Sequence, residues 1–229
     1  MQVNRTENKI IINTLEKARL ERRLGMIMPL DPHCADGRSY SVRTLYFDTV
    51  TDRCIAEKED GLLVHEKLRL RVYGNDENTI KLECKQKVDS LQTKKSMLVT
   101  REQCDRLIAG DLSWLLSSPD PLGAFFFYKL SRGYFPKAVI EYQRLAYSLN
   151  VNATRITFDF DIRACESDFQ LFGDHLQTHP IFPPDKAVLE IKFNHYLPGY
   201  IKKALSDVQK SPGSFSKYTA GRYFYRNML

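Results

Sequence analysis

Apolar and polar residues alternate with a period of two through most of this chain, the pattern of half-buried strands. It predicts strands at Val3–Asn13, Tyr40–Asp48, Glu66–Tyr73, Thr79–Val88, Lys94–Val99, Ala138–Leu149, Ala153–Ile162 and Ala187–Phe193. Short turns such as Gly74-Asn75-Asp76-Glu77 and Asn150-Val151-Asn152 join several of them. Helical spacing is rarer. Thr14–Leu24 reads as a helix with Thr14 as N-cap and Gly25 as its stop, and Thr100–Ala109 opens on a capping box of Thr100 and Gln103. Asp120–Ser131, Leu197–Val208 and the tail Thr219–Asn227 also read as helical. About eight strands suit a closed antiparallel β-barrel. The expectation is therefore a mainly β (α+β) protein with helices packed outside the barrel. No linker or internal repeat interrupts the sequence, so residues 1–229 read as a single domain.

The polar positions of these strands are unusual, because they are overwhelmingly basic. Side chains two apart share a face. Arg5, Glu7 and Lys9 therefore share one, as do Lys67, Arg69 and Arg71, and as do Lys81, Glu83, Lys85 and Lys87. Tyr142 goes with Arg144, Arg155 with Thr157, Asp159 and Asp161, and Glu190 with Lys192. For one strand alone, a solvated outer face is the simpler account. For several neighbouring strands it weakens, since like charges directly across a sheet repel. The alternative is that the rows face inward and line a wet basic tunnel that holds an anion. A triphosphate or longer phosphate chain would suit it, with Arg as bidentate fork and Lys as point charge. The few carboxylates, Glu7, Glu83 and Glu190, would then be metal ligands or internal counter-ions.

Composition adds limits. The net charge is +6, with a pI near 9.0, which permits a polyanionic partner without requiring one. The cysteines, Cys34, Cys54, Cys84, Cys104 and Cys165, are odd in number and form no CxxC pair, which suits a reducing cytoplasm. No signal-peptide pattern and no apolar stretch of membrane-spanning length occurs, so a cytoplasmic chain without a membrane segment is expected, a membrane partner staying open. There is no GxxxxGK[ST] or GxGxxG loop, so any nucleotide has to be held by side chains. His175 and His179 stand four apart but next to Pro180, and read as a surface loop rather than a metal pair. Trp114 and Phe125–Phe127 read as packing, while Tyr223, Phe224 and Tyr225 fit packing or a partner contact equally. Aromatics and cations mostly occupy different faces, which argues against nucleic acid.

Several segments resemble a known family in order along nearly the whole chain. They are Ser41-Val42-Arg43-Thr44-Leu45-Tyr46-Phe47-Asp48-Thr49, then Glu57-Lys58-Glu59-Asp60-Gly61 with Lys67-Leu68-Arg69-Leu70-Arg71-Val72-Tyr73-Gly74. Leu82-Glu83-Cys84-Lys85-Gln86-Lys87, Arg155-Ile156-Thr157-Phe158-Asp159, Leu189-Glu190-Ile191-Lys192-Phe193 and Ser216-Lys217-Tyr218 follow. The set resembles the VTC domain, the polyphosphate polymerase branch of the triphosphate tunnel metalloenzymes. The resemblance implies a metal-dependent enzyme that transfers the γ-phosphoryl of ATP, or of another nucleoside triphosphate, to inorganic polyphosphate. It implies Lys217 and Lys9 as catalytic cations. Phosphate would be bound by Arg5, Lys67, Arg69, Arg71, Lys85, Lys94, Tyr142, Arg144, Arg155, Lys192 and Ser216, with Lys94 and its neighbour Lys95 competing for one position. Glu190, with Glu7, would hold Mn²⁺ or Mg²⁺. Triphosphatases and class IV adenylate cyclases of the superfamily begin with Glu-x-Glu-x-Lys, where this chain has Arg5, which favours polymerase over hydrolase. A triphosphate or polyphosphate hydrolase and a non-catalytic polyanion-binding module are the alternatives.

Overall fold

A computed structural model describes residues 5–34, 37–89, 91–173, 176–208 and 215–226. Its strands are β1 (Arg5–Asn13), β2 (Tyr40–Asp48), β3 (Val64–Tyr73), β4 (Ile80–Val88), β5 (Leu91–Val99), β6 (Phe135–Leu149), β7 (Thr154–Cys165), the two-residue β8 (His179–Pro180) and β9 (Lys186–Asn194). Its α-helices are α1 (Thr14–Gly25), α2 (Arg53–Glu59), α3 (Arg101–Ile108), α4 (Gly123–Leu130), α5 (Gly199–Ala204) and α6 (Lys217–Arg226). Val3 and Asn227, the outer ends of two expected elements, lie outside the described residues. No helix among the described residues is long and apolar enough to cross a membrane.

The chain forms two compact units, one of Met1–Ser41, Tyr142–Arg163 and Pro180–Ala220, the other of Val42–Glu141, Ala164–His179 and Gly221–Leu229. In the first, β1, β9 and β7 pair antiparallel, and β1 leads directly into α1. Ile10, Ile12, Ile156, Phe158, Leu189 and Ile191 turn to one face of this sheet and meet Leu20 and Leu24 of α1 and Ile201 of α5 in one apolar core. The helix starts one residue earlier than the sequence suggests: Asn13, not Thr14, is the N-cap. Its side chain accepts from the Glu16 amide at 2.8 Å while Glu16 accepts from the Asn13 amide at 2.8 Å, closing a reciprocal box.

In the second unit β2, β3, β4 and β5 pair antiparallel in sequence order. Leu68, Leu70, Val72, Ile80 and Leu82 are fully buried on one face and alternate with the basic positions. The Thr100 and Gln103 capping box forms as the sequence predicts. Helix α2 is absent from the sequence-based expectation. It has only seven residues, and its start is fixed by Asp48, whose carboxylate accepts from the amides of Thr49 at 2.8 Å and Cys54 at 3.0 Å. All five cysteines are buried and unbridged.

One expectation is corrected. The hydrogen-bonded strand order is β1-β9-β7-β6-β2-β3-β4-β5, with β8 beside β7, so β1 and β5 end the order and the barrel is not closed. The physical reason lies in β5. From Leu91 to Ser96 every residue is exposed, and Lys94 and Lys95 are charges of the kind that discourage a further strand from pairing at a sheet edge. A second deviation is local. Asp161 has φ of 47° and is exposed, so it leaves the face of Arg155, Thr157 and Asp159.

Candidate functional site

The first unit carries a cluster in which charges of opposite sign face each other across strands. Lys9 stands directly opposite Glu190, and Glu7 opposite Lys192, which in turn faces Arg155. The buried Glu190 carboxylate lies 3.5 Å from Lys9, 3.0 Å from Lys192 and 3.9 Å from Arg144. Glu7 takes Lys9 at 3.1 Å and Lys192 at 4.0 Å. Arg144 donates both Nε and Nη2 to Asp159, at 2.6 and 2.8 Å, and Lys217 donates to the same carboxylate at 2.6 Å. Tyr142 presents its ring to both cations, with Arg144 at 5.2 Å and Lys217 at 4.6 Å from the centroid. Arg155 instead reaches Asp31 at 3.0 Å and the Tyr40 hydroxyl at 3.1 Å. Arg5 is exposed at the start of β1, opposite Asn194. Ser216 accepts from the Thr219 amide at 3.3 Å and so caps α6, whose first residue is Lys217.

Burial pushes the Asp159 carboxyl up, but Arg144 and Lys217 outweigh it and hold the group down to about 2. Burial likewise pushes Glu190 up, and Lys192, Lys9, a hydrogen bond with Glu7 and Arg144 overcome it, keeping Glu190 well below the usual carboxylate range. Both carboxylates are therefore ionised near neutral pH.

The second unit is built differently. Lys67, Lys85 and Lys94 stand directly opposite one another across β3, β4 and β5. The next row along that face is Arg69, Glu83 and Ser96, followed by Arg71 opposite Lys81. Glu83 is fully buried and serves as the anchor of this face. It accepts from Arg69 at 2.8 and 2.7 Å, pairs with Lys94, and lies 4.0 Å from Arg71. Arg71 also donates Nε to Thr44 at 3.2 Å. Tyr46 sits opposite Arg69 on β2. Burial pushes its phenol up, and Arg69, Arg71 and Lys67 more than reverse this, bringing it down to about 8. Glu83 is held at about 2 against its burial by Arg69, Arg71 and Lys94. Lys94 and Lys95 are separated by the pleat: Lys94 reaches Glu83, whereas Lys95 lies 4.0 Å over the Phe125 ring.

The residues expected from the sequence thus fall into two groups. Glu7, Lys9, Tyr142, Arg144, Lys192, Glu190 and Lys217 meet in the first unit, with Arg155, Arg5 and Ser216 at its margins. Lys67, Arg69, Arg71, Lys85 and Lys94 share one face of the second. Sequence reasoning missed Asp159 as the shared anchor of Arg144 and Lys217, although its alternation with Phe158 signals the face. It also missed Thr44 and Tyr46, which alternate with the buried Leu45 and Phe47 but carry no charge. His175 lies outside the described residues. His179 stacks on Phe224 at 6.3 Å, and Trp114 is buried.

No group of three metal-ligating side chains occurs among the described residues. Glu7 and Glu190, which approach the same two lysines, are two ionisable oxygen donors. That set fits a hard divalent cation of the kind that takes most of its ligands from phosphate and water.

The VTC domain model matches residues 4–225. HpAC1 from Hippeastrum, a candidate adenylyl cyclase described as revealing a dominant triphosphatase activity, is 12% identical with a TM-score of 0.59, over 97% of this chain and 96% of its own. A candidate adenylate cyclase from Bacillus halodurans is 13% identical with a TM-score of 0.52, over 98% and 100%. At such identities the likeness is one of fold. No curated protein matches the sequence.

Proposed function

This chain belongs to the VTC-domain family, and from that premise we propose that it is a polyphosphate polymerase using ATP or another nucleoside triphosphate. The observation that carries this is the row of Lys67, Lys85 and Lys94, directly opposed across three strands beside Arg69 and Arg71. Like charges so placed repel unless a dense anion lies among them. In the reaction, a terminal oxygen of the polyphosphate chain attacks the γ-phosphorus and the bond to the β–γ bridging oxygen breaks, releasing the nucleoside diphosphate. Little covalent chemistry falls to the protein, which has to align the two phosphates and offset their charge. Arg69 and Arg71 are the forks for phosphate oxygens, fixed in direction by Glu83 and Thr44. Lys67, Lys85, Lys94, Arg155 and Lys192 supply further positive charge. Lys217 and Lys9 take the reacting phosphate, and Asp159 and Tyr142 aim Lys217. Glu190 and Glu7 would hold Mn²⁺ or Mg²⁺, which supplies neutralisation of phosphate charge.

The triphosphatase activity described for the Hippeastrum protein favours hydrolysis as a second reading. Arg5 speaks against it, since a cation stands where superfamily hydrolases carry a first carboxylate. Incubation with ATP and Mn²⁺ separates the readings. Polymer on a gel with stoichiometric ADP supports the polymerase. Orthophosphate without polymer supports the hydrolase, and neither product leaves a polyanion-binding module.

A further inference from the structure

The outer side of α1 has no part in either cluster. Its buried stripe is Leu20 and Leu24, and opposite it lie Leu15, Arg19, Arg22 and, just beyond the helix, Met26. The spacing of i, i+4, i+7 and i+11 makes these one row. Leu15 is 77% exposed and Met26 73%, while a shallow groove runs between Leu15 and the two arginines. The acidic residues of α1 are already occupied, Glu16 by the Asn13 cap and Glu21 by Lys17 at 2.6 Å. Arg23 fastens α5 alongside, donating to the Ala204 carbonyl at 3.4 Å and to Asp207 at 2.7 Å. Helix α5 adds exposed Tyr200, Lys202 and Lys203. Arg19, Arg22, Lys202 and Lys203 make no ion pair among the described residues.

We propose that this face of α1 docks the protein onto an anionic lipid bilayer. The chemistry is that of an interfacial helix: cations contact phosphate head groups while aliphatic side chains enter the head-group boundary. A nucleic acid or polyphosphate would use the arginines but gain nothing from Leu15 and Met26, which would stay in water. A second copy docked face to face would set the same cations against each other.

The test is co-sedimentation of the full chain with phosphatidylcholine vesicles, with and without phosphatidylserine, at physiological salt. Two variants with wild-type melting temperatures separate the contributions: Arg19→Glu with Arg22→Glu, and Leu15→Ser with Met26→Ser. The expected result is binding only to the phosphatidylserine vesicles, reduced at least tenfold in each double variant and weakened by added salt. Absence of binding, or binding kept by the charge-reversed variant, overturns the proposal. Loss in the charge variant with full binding in the serine variant overturns the interfacial-helix mode, in which Leu15 and Met26 enter the head-group boundary.

Discussion

Asp159 shows how much one side chain can organise. It is fully buried, and it holds Arg144 by two hydrogen bonds and Lys217 by a third. Asp159→Asn keeps the shape but leaves the buried Arg144 and the half-buried Lys217 short of a partner. Urea unfolding should show a loss of about 3–5 kcal/mol, against about 0.5 or less for the exposed Asp161→Asn. The pH dependence has a defined sign. A carboxyl held at about 2 in the folded chain stabilises it above the ordinary carboxylate range, and that contribution disappears as pH falls from about 4 through 2. The asparagine variant should lack that acid limb. Tyr46 behaves in the opposite pH range. Its phenol, brought down to about 8, becomes a phenolate in mildly alkaline solution and cancels one positive charge beside Arg69 and Arg71. Triphosphate affinity, measured by calorimetry, should therefore decline above about pH 8 in the wild type. Tyr46→Phe should flatten the decline and bind within twofold of wild type at pH 7. An unchanged alkaline limb would mean that another group titrates.

At the level of strands and helices, alternation made most of the architecture legible. It located β1 to β4, β6, β7 and β9, because an apolar residue at every second position has one physical use. It understated β5, whose first residues, Leu91 to Thr93, are exposed and carry no burial pattern to read. It missed α2, which depends on a carboxylate five residues before it rather than on its own periodicity. Closure failed as an expectation because strand number alone does not say whether the edge strands have anything to bury. The cationic side chains of the clusters were legible as rows, but their partners were not, since Asp159, Thr44 and Asp31 become partners only once separate segments of the chain fold against one another. Lys94 and Lys95 form the clearest element-scale test, because the pleat of β5 sends them to opposite faces. Lys94→Ala should weaken triphosphate binding at least fivefold. Lys95→Ala should leave binding unchanged and cost roughly 1 kcal/mol of stability through its lost contact with Phe125.

For the molecule as a whole, the two units differ in electrical design. The first interleaves carboxylates with cations, whereas the described face of the second concentrates positive charge around one buried acid. Glu190→Gln tests what the interleaving is for. The variant should fold and bind polyphosphate as tightly as wild type or tighter, because every cation remains and one repelling charge is gone. Its polymer yield from ATP at saturating Mn²⁺ should fall at least tenfold, about 1.4 kcal/mol or more in the barrier. Full activity would make Glu190 a counter-ion only. The buried cysteines add something of a different kind. Burial pushes the thiols of Cys34, Cys54, Cys84 and Cys104 up, Cys84 to about 11 and Cys104 to about 12. An alkylating reagent therefore has to wait for the surrounding structure to open before it meets a thiolate. Cys34 belongs to the first unit and the other four to the second. Mass spectrometry of timed alkylation would thus clock the opening of each unit separately, with no label added and no residue changed.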